Sequence, residues 1–335
     1  FERVRYFWCG VELMSMMQML LGTSAGGSVS VADVFSTFLY DGSSSAQTIT
    51  NGIDLSTKGG LVWLKSRTNT YNHALMDSER SWSGWLESNS NNASQGGTFI
   101  SANTNGFTFS SGSLFFNGDP YDYTSWTFRK APGFFDIVTY TGNGSSGLAK
   151  NHNLEVVPEM MIVKKTSESG NANWRVFHSA LGNTKAIKLD GNVVADTSSV
   201  YWNNTSPTAT QFTLGDSSNV NGNGETHVAY LFASLDGVSK IGSYTGNGST
   251  GQTINTGFQP QWVLIRRNGS YDNWLILDSA RTHTDGTLKA LAADRDMAEI
   301  SGTTVTFASS GFQLGNYSSV NENTQEFIYM AIAAP

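Results

Sequence analysis

Two stretches of the chain are almost identical: Tyr140-Thr-Gly-Asn-Gly-Ser145 and Tyr244-Thr-Gly-Asn-Gly-Ser249. A shorter version, Tyr40-Asp-Gly-Ser43, stands 100 residues before the first, and the two full copies are 104 residues apart. Gly, Asn and Ser are turn-forming residues, so the motif predicts a hairpin turn that recurs about every 100 residues. A glycine-rich phosphate loop would have to open a helix, and the residues after Ser145 do not continue as one.

Further landmarks recur in the same order within each copy. An apolar run ends in a basic residue three times: Leu61-Val-Trp-Leu-Lys65, Met160-Met-Ile-Val-Lys164 and Trp262-Val-Leu-Ile-Arg266. An aromatic run closes each copy: Ser125-Trp-Thr-Phe128, Ala229-Tyr-Leu-Phe232 and Ile328-Tyr-Met-Ala331. This order predicts three tandem modules of about 100 residues, a common domain size. Their predicted bounds are 31–131, 132–237 and 238–335, after an arm at 1–30.

The spacing of apolar residues within a module predicts β-strands. Short apolar or alternating runs are separated by clusters of Gly, Asn, Ser and Asp, the pattern of strands and turns. Strands at this spacing favour a sandwich or a jelly roll. We therefore predict an all-β protein of three tandem β-sandwich, jelly-roll-like modules with a short N-terminal helical arm. Residues 288–298 have the composition of a helix, but their place in the repeat predicts a strand, a turn and a strand.

The N-terminal arm carries its own apolar pattern. Residues 10–21 are rich in Leu and Met and stop at Gly22, an acceptable helix C-cap. A helix this short is marginal alone in water, so we expect its apolar face to anchor the chain on another protein or on a second copy. The predicted anchor residues are Leu13, Met16, Met17, Leu20 and Leu21. A secretory signal is the competing interpretation, and Glu2 and Glu12 argue against it.

Composition excludes several classes of protein. The chain has 335 residues, 14% charged residues, a net charge of −7 and a single cysteine, Cys9. An acidic balance without a basic block argues against a nucleic-acid partner, and no apolar run reaches the roughly 20 residues of a membrane span. One cysteine excludes a disulfide framework. The five histidines are scattered without metal-ligand spacing, so we predict no cofactor and no metal centre, while a carbonyl-rich calcium loop stays open.

Aromatic residues in turn-rich segments are the candidate ligand-binding residues. Their faces, flanked by amides and hydroxyls, suit sugars, which have apolar C–H faces and polar rims. The alternative is packing in the core or between subunits, since Trp and Tyr bury large areas. Trp63, Trp126 and Trp262 are expected in the core because their neighbours are apolar. The candidates are Trp82, Trp85, Trp174, Tyr201, Trp202, Tyr271 and Trp274.

Asp77 and Glu79 are the acids that would suit hydrolysis. Two carboxylates two residues apart on a strand point the same way, which could bring them within the separation that glycosidases use. In the other modules the matching place holds Ser179 and Ala180, or Ser279 and Ala280, so the second acid is missing. A charged strand end is the alternative, and we predict that the protein is not an enzyme.

Four strings resemble repeat-bearing virion proteins of marine tailed bacteriophages: VADVFSTFLY at 31–40, SWTFRKAPGFFD at 125–136, YWNNTSP at 201–207 and VAYLFA at 228–233. The resemblance covers the chain from about Met14 onwards, and residues 1–13 depart from it. It implies a structural protein of the particle, tail-fibre-like or otherwise exposed at its surface, with a part in host attachment. It brings no catalytic residues.

Together these observations predict a non-enzymatic virion protein that is made in the host cytoplasm and displayed as an appendage on the particle surface. The expected partners are other virion proteins, further copies of the chain with a trimer favoured, and host-surface polysaccharide. Two alternatives stay open. One is a capsid-decoration protein, and the other is a polysaccharide-degrading enzyme that would use Asp77 and Glu79.

Overall fold

The computed structural model describes residues 29–167 and 172–335. The predicted anchor residues Leu13, Met16, Met17, Leu20 and Leu21 lie outside the described residues. We call residues 31–131, 132–237 and 238–335 units 1, 2 and 3.

Almost all regular structure in the three units is strand. Unit 1 contains helix α1 (Val31–Val34), a 3-10 turn (Ser78–Arg80) and strands β1 (Phe35–Asp41), β2 (Gln47–Thr50), β3 (Gly60–Ser66), β4 (Ala74–Asp77), β5 (Ser83–Trp85), β6 (Gln95–Thr98), β7 (Ile100–Asn103), β8 (Gly106–Phe109) and β9 (Asp122–Arg129). Unit 2 contains β10 (Phe135–Thr141), β11 (Leu148–Asn151), β12 (Met160–Lys165), β13 (Arg175–His178), β14 (Lys185–Ala186), β15 (Asp196–Thr197), α2 (Ser199–Trp202), β16 (Gln211–Leu214), α3 (Ser218–Asn221) and β17 (Thr226–Phe232). Unit 3 contains β18 (Ser239–Thr245), β19 (Gln252–Asn255), β20 (Pro260–Arg267), β21 (Leu275–Thr282), β22 (Leu288–Ala292), β23 (Thr306–Ala308), β24 (Gly311–Leu314), α4 (Ser318–Asn321) and β25 (Glu326–Ala333).

Each unit has a main sheet in which its first and last strands are neighbours. The main sheets have the strand orders β1-β9-β3-β4, β10-β17-β12-β13 and β18-β25-β20-β21-β22, and the pairs are antiparallel. Smaller outer sheets, β2-β8-β7, β11-β16 and β19-β24-β23, contribute the facing layer. This confirms the predicted all-β, sandwich-like fold class.

The central strands of the main sheets are buried on both faces. Along β17, Val228, Tyr230 and Phe232 belong to one hydrophobic cluster, whereas Ala229 and Leu231 belong to another. Successive side chains of a strand point to opposite faces, so this strand separates two cores. Burial on both faces explains why these strands read as continuous apolar runs.

One core is shared by all three units, and a separate core lies inside each unit. The shared core draws its side chains from the inner faces of all three main sheets. The ring centroids of Phe128 and Phe232, from units 1 and 2, are 5.7 Å apart, and those of Phe128 and Trp262, from units 1 and 3, are also 5.7 Å apart. Trp63 and Trp126 lie in the same core, as predicted with Trp262. The bounds of the three modules as separate domains stay a prediction.

Three buried hydrogen bonds link the units in a closed circle. The pairs are Tyr230 Oη to Asp77 Oδ2 (2.7 Å), His178 Nε2 to the Tyr329 carbonyl (3.3 Å), and Trp126 Nε1 to Asp278 Oδ2 (2.9 Å). They connect unit 1 to 2, 2 to 3 and 3 to 1. Asp77, His178 and Asp278 stand at the same register position of their sheets, so the circle follows the internal repeat.

A second circle of hydrogen bonds joins the units four residues earlier, at the residue that directly precedes strand β4, β13 or β21. The pairs are His73 Nε2 to the Ala292 carbonyl (3.0 Å), Trp174 Nε1 to the Glu87 carbonyl (2.9 Å), and Trp274 Nε1 to the Lys188 carbonyl (2.7 Å). His73 Nδ1 accepts a hydrogen bond from Trp63 Nε1, which leaves its proton on Nε2. At all three junctions, therefore, a buried donor bonds a backbone carbonyl of a neighbouring unit.

The basic residue that ends each apolar run is also buried. Lys164 Nζ donates to the Asn91 carbonyl of unit 1 (3.0 Å), and Arg266 Nη2 donates to the Val193 carbonyl of unit 2 (2.7 Å). Lys65 donates to carbonyls of its own unit. Burial disfavours the charged form and lowers the pKa of Lys65 to about 7 and that of Lys164 to about 8.

The repeated Tyr-Thr-Gly-Asn-Gly-Ser motif forms an arch instead of the predicted hairpin, because the strands it joins, β10 and β11, lie in different sheets. Tyr140 Oη donates to the Val220 carbonyl (2.6 Å), and Asn221 Nδ2 donates to the Ser145 carbonyl (2.8 Å). The second copy has the same bonds, from Tyr244 to Val320 and from Asn321 to Ser249. At Gly142, a Cβ would lie 2.4 Å from the Gly222 carbonyl oxygen, so only glycine fits.

Residues 288–292 form strand β22, as the repeat predicted against their helical composition. A turn follows at 293–294, which is also as predicted. The expected second strand is wrong, because residues 295–298 are irregular.

We expect Trp174→Phe to lower the free energy of unfolding by about 1–3 kcal/mol, because it removes the buried hydrogen bond to the Glu87 carbonyl and part of the packing of the indole ring. Urea denaturation followed by circular dichroism measures this loss. Tyr271→Phe is the control, because Tyr271 is 69% exposed, and it should change stability by less than about 0.5 kcal/mol. Equal effects of the two substitutions would contradict the structural role of the circle.

We expect stability to fall as the pH drops below about 6.5. Burial lowers the pKa of His178 to about 4 and holds that of His73 well below its usual value. The unfolded chain therefore takes up protons near pH 6.5 that the folded chain excludes. The free energy of unfolding should fall by up to about 1.4 kcal/mol per pH unit per histidine. Urea titrations between pH 7 and 5 test this, and His178→Leu should make the slope shallower.

Candidate functional site

An aromatic cluster lies at the surface of unit 1, and we define it as Tyr71, Trp85, Phe99, Phe115 and Tyr121. Its rings are in contact: centroids are 5.1 Å apart for Trp85 and Phe99, 5.6 Å for Trp85 and Phe115, and 5.4 Å for Tyr71 and Tyr121. All five side chains are half-buried. Neighbouring Leu114 is 47% exposed. Adjoining half-exposed rings of this kind offer a binding surface.

Of the predicted residues, Trp85 belongs to this cluster, and Trp82 lies on a tight backbone turn just before it in the chain. Ser81 and Trp82 both have positive φ, 56° and 58°, which is uncommon for residues other than glycine. The Asp77 side chain accepts a hydrogen bond from the Arg80 amide (3.0 Å) and so caps the 3-10 turn that leads into them. Trp82 and Trp85 are both half-buried against the core of unit 1.

Four other predicted aromatic residues belong to the core, the packing alternative. Trp174, Trp202 and Trp274 have at most 1% exposure, and Tyr201 has 7%. Trp202 Nε1 donates to the Lys185 carbonyl (2.9 Å), so all three indoles have internal acceptors. Arg175 lies 4.4 Å from the centre of the Tyr201 ring. Large aromatic residues satisfied in this way contribute packing and offer no face to a ligand.

Tyr271, unlike these four residues, is largely exposed. It lies on a loop, as do two other exposed apolar residues. Tyr271, Val194 and Met297 are 69%, 38% and 45% exposed. The Asp272 amide donates to the Asn192 carbonyl (3.0 Å), which joins the loops of Tyr271 and Val194 across units 2 and 3. Tyr271 follows strand β20 and Met297 follows strand β22, and both strands belong to the main sheet of unit 3.

The start of unit 1, the two links between units and the end of unit 3 all lie at the opposite ends of these strands. Val31 at the entry, Phe134 and Val238 at the two links, and Ala333 at the exit all lie in the shared core. The Ala333 amide donates to the Val238 carbonyl (2.8 Å). The structure therefore has two different ends. One gathers the links and both ends of the described chain, and the other carries exposed loops.

Asp77 and Glu79 do not form a free acid pair. Asp77 is fully buried and accepts hydrogen bonds from Arg80 Nε and Tyr230 Oη, both at 2.7 Å. Glu79 lies outside the strand, in the 3-10 turn, and pairs with Lys130 (2.7 Å). The expectation that both lie on one strand is wrong, because the chain turns directly after Asp77. Asp77 is desolvated and accepts three hydrogen bonds, so its role is structural.

Two related clefts open where neighbouring units meet. The first, of about 400 Å³, lies between units 1 and 2 and is lined by Glu79, Arg80, Thr139, Tyr140, Thr141, Thr166, Thr226 and His227. The second, of about 240 Å³, lies at the corresponding place between units 2 and 3 and is lined by Ala180, Ser243, Tyr244, Thr245, Asn268 and Glu326. Both charges of the first cleft are already paired.

Within residues 29–167 and 172–335, the structure contains no cluster of side chains suited to holding a metal ion. No helix in the described part of the chain is long and apolar enough to span a membrane.

Four members of the aromatic cluster were not among the predicted residues: Tyr71, Phe99, Phe115 and Tyr121. The sequence feature that could have indicated them is the divergence of unit 1 from the repeat. Unit 1 has Phe115 and Phe116 before the buried Asn117, whereas the other units have Asn219-Val220 and Ser319-Val320 before the corresponding Asn221 and Asn321. An aromatic excess in one copy of a repeat marks a local addition to the shared fold.

A family model matches residues 30–335, and its description is a domain of unknown function, DUF7483. The match covers every strand of the structure, so the family's domain comprises all three units. No curated protein matched the chain.

We expect Asp77→Ala to destabilise the fold strongly and Glu79→Ala to have little effect. Removing the Asp77 carboxylate leaves the buried Arg80 charge without its partner, which costs about 3–5 kcal/mol. The exposed Glu79–Lys130 pair contributes at most about 1 kcal/mol. Thermal unfolding of both variants measures the difference. A soluble, equally stable Asp77→Ala protein would contradict the structural assignment of this acid.

Proposed function

The chain belongs to the DUF7483 family, whose description assigns no activity, and we propose that it is a non-enzymatic structural protein displayed on the surface of a bacteriophage particle. In this role it is a tail-fibre-like appendage that contacts polysaccharide on the host. The resemblance of residues 31–40 and 125–136 to virion proteins of tailed phages supports the particle assignment. Copies of the chain would assemble on the particle, with a trimer favoured.

The observation that carries the attachment role is the aromatic cluster of unit 1. Aromatic faces pack on the apolar C–H faces of sugar rings, and polar residues beside them can bond the hydroxyl groups. Asn72 and Ser113 adjoin the cluster in sequence, and Asn89 Nδ2 donates to Asn72 Oδ1 (2.7 Å). With only 14% charged residues, the surface offers little electrostatic steering, so contact by shape and stacking is favoured.

The two ends of the structure fit an appendage. Val29 packs against the shared core at the end that gathers the links, so an anchoring arm on the N-terminal side of Val29 would connect to the particle from this end. The exposed Tyr271, Val194 and Met297 lie on loops at the other ends of the strands. Binding residues commonly sit on loops held by a rigid scaffold. Asp77, the acid that favoured an enzyme, is committed to the interior.

We expect Tyr71→Ala combined with Tyr121→Ala to weaken binding to the host polysaccharide about 30-fold, since two stacking contacts of about 1 kcal/mol each add to about 2 kcal/mol. Purified host surface polysaccharide immobilised on a biosensor measures this. Val157→Ala is the control, because it truncates a side chain that is 49% exposed in the segment before strand β12 of unit 2, outside the cluster and the exposed loops, and it should retain at least half of the affinity.

Immunogold labelling of intact phage particles tests the structural assignment separately. Label on tail appendages supports the proposal, and label confined to the capsid supports a decoration protein instead. Particles without label would overturn the virion assignment. Release of sugar ends from the polysaccharide would overturn the non-enzymatic assignment.

A further inference from the structure

Strand β10 is an edge strand of the main sheet of unit 2, with β17 as its neighbour on one side. The Ala233 amide donates to the Phe134 carbonyl (3.1 Å), and the Gly142 amide donates to the Glu225 carbonyl (2.9 Å). In an antiparallel pair, residues that bond the neighbouring strand alternate with residues that do not. The even-numbered residues of β10 therefore bond β17, and the N–H and C=O groups of the odd-numbered residues point away from the sheet.

Two of these odd-numbered residues, Thr139 and Thr141, have unpaired backbone groups. Nearer the link, Phe135 exchanges two backbone hydrogen bonds with Ala131 (3.0 and 3.1 Å), and Ile137 is buried. Thr139 and Thr141 are exposed, and no described residue bonds the backbone groups that they direct outward. A row of unpaired N–H and C=O groups at the edge of a sheet is a template for another strand.

Units 1 and 3 cover the last carbonyl of the equivalent edge with a glutamine side chain. Gln47 Nε2 donates to the Asp41 carbonyl (3.2 Å) in unit 1, and Gln252 Nε2 donates to the Thr245 carbonyl (2.7 Å) in unit 3. Unit 2 has Leu148 at the position of these glutamines, and an aliphatic side chain cannot donate a hydrogen bond. The edge of unit 2 is therefore more open than the other two.

The edge of unit 2 also lacks charge. Unit 1 has Asp41 at the position of Thr141, directly opposite Asp122 of the neighbouring strand. Residues 137–145 of unit 2 contain no charged residue and no proline. Charges and prolines are common means of preventing an edge strand from pairing with another chain, and unit 2 uses neither along this stretch.

From these observations we infer that β10 pairs with β10 of a second copy of the chain, antiparallel and about a twofold axis at Tyr140. Thr139 of one copy then lies opposite Thr141 of the other copy, and the two residues exchange backbone hydrogen bonds. Threonines opposite each other on neighbouring strands stabilise a sheet. The same sheet already contains such a contact, because Thr166 Oγ1 and Thr226 Oγ1 are 2.8 Å apart.

The occupant of this edge is a second copy because a strand edge paired antiparallel with itself is self-complementary, as a twofold interface requires. A twofold axis also brings identical side chains close together. A charge on this edge would therefore face a like charge, and the uncharged stretch from Ile137 to Ser145 avoids that repulsion.

This inference names one contact for the assembly of copies on the particle and rests on that part of the proposed function. The contact is twofold, so it does not itself build the favoured trimer. It joins single copies, or whole trimers, in pairs. The wild-type assembly in solution is therefore expected to have twice the mass of a variant that lacks the contact.

Thr141→Asp tests the contact, because it gives unit 2 the residue that unit 1 has at the same position. We expect this substitution in the full chain to raise the dissociation constant of the pair at least tenfold, through repulsion between the two carboxylates. Sedimentation equilibrium over a concentration series should then show half of the wild-type mass. Thr245→Asp is the matched control, because it makes the same change at the same position of unit 3, and it should leave the mass unchanged.

A second pair of variants separates the backbone from the side chain. Thr139→Pro removes an amide that points away from β17, so the bonds between β10 and β17 are kept, and it should also halve the mass. Thr139→Ala keeps the amide and should leave the mass unchanged. Amide hydrogen exchange in residues 137–141 should slow as the wild-type concentration rises, whereas exchange in residues 241–245 should not change.

A wild-type mass equal to that of both Thr141→Asp and Thr139→Pro at every concentration would overturn the inference. Loss of half the mass with Thr245→Asp, and not with Thr141→Asp, would overturn the assignment to β10. Because the test compares the masses of wild type and variants, it gives the same answer with or without the proposed trimer. Particles that carry no label would overturn the proposed function through the separate immunogold experiment.

Discussion

The rest of the structure depends on the burial of one face of each main sheet against the other two. Removing apolar surface from water contributes about 25 cal/mol per Å², and here the largest core belongs to no single unit. Polar groups inside it must be paired, and the two circles of hydrogen bonds pair them across units. Asp77, His178 and Asp278 occupy the same position in their units, and each makes a hydrogen bond to another unit although the side chains differ.

This constraint separates the parts of the structure that tolerate substitution from the parts that do not. The inner faces of the units are tied to each other, so variation is tolerated mainly in the outer layers and loops. The aromatic cluster of unit 1 lies where the units diverge. Function is often carried by sites added to a common fold, and comparison of the three units identifies Phe115 as an addition in unit 1.

The repeat made much of the fold predictable, including the strand at 288–292 that composition alone would have made a helix. Local patterns were less informative about burial. Trp174 and Trp274 stand among Asn and Asp in sequence, yet both are buried because their indole N–H groups reach carbonyls of the preceding unit. The partners in these two contacts are 87 and 86 residues apart in the chain, so the residues adjacent to each tryptophan do not indicate them.

By itself, the sequence determined the all-β class, the period and order of the strands, and the burial of Trp63, Trp126 and Trp262, because hydrophobic periodicity is a local property. Only the tertiary structure decided that the three units share one core, that the glycine-rich motif is an arch, and that Asp77 is structural. Those outcomes depend on which surfaces meet in space, and that is set by packing between distant segments of the chain.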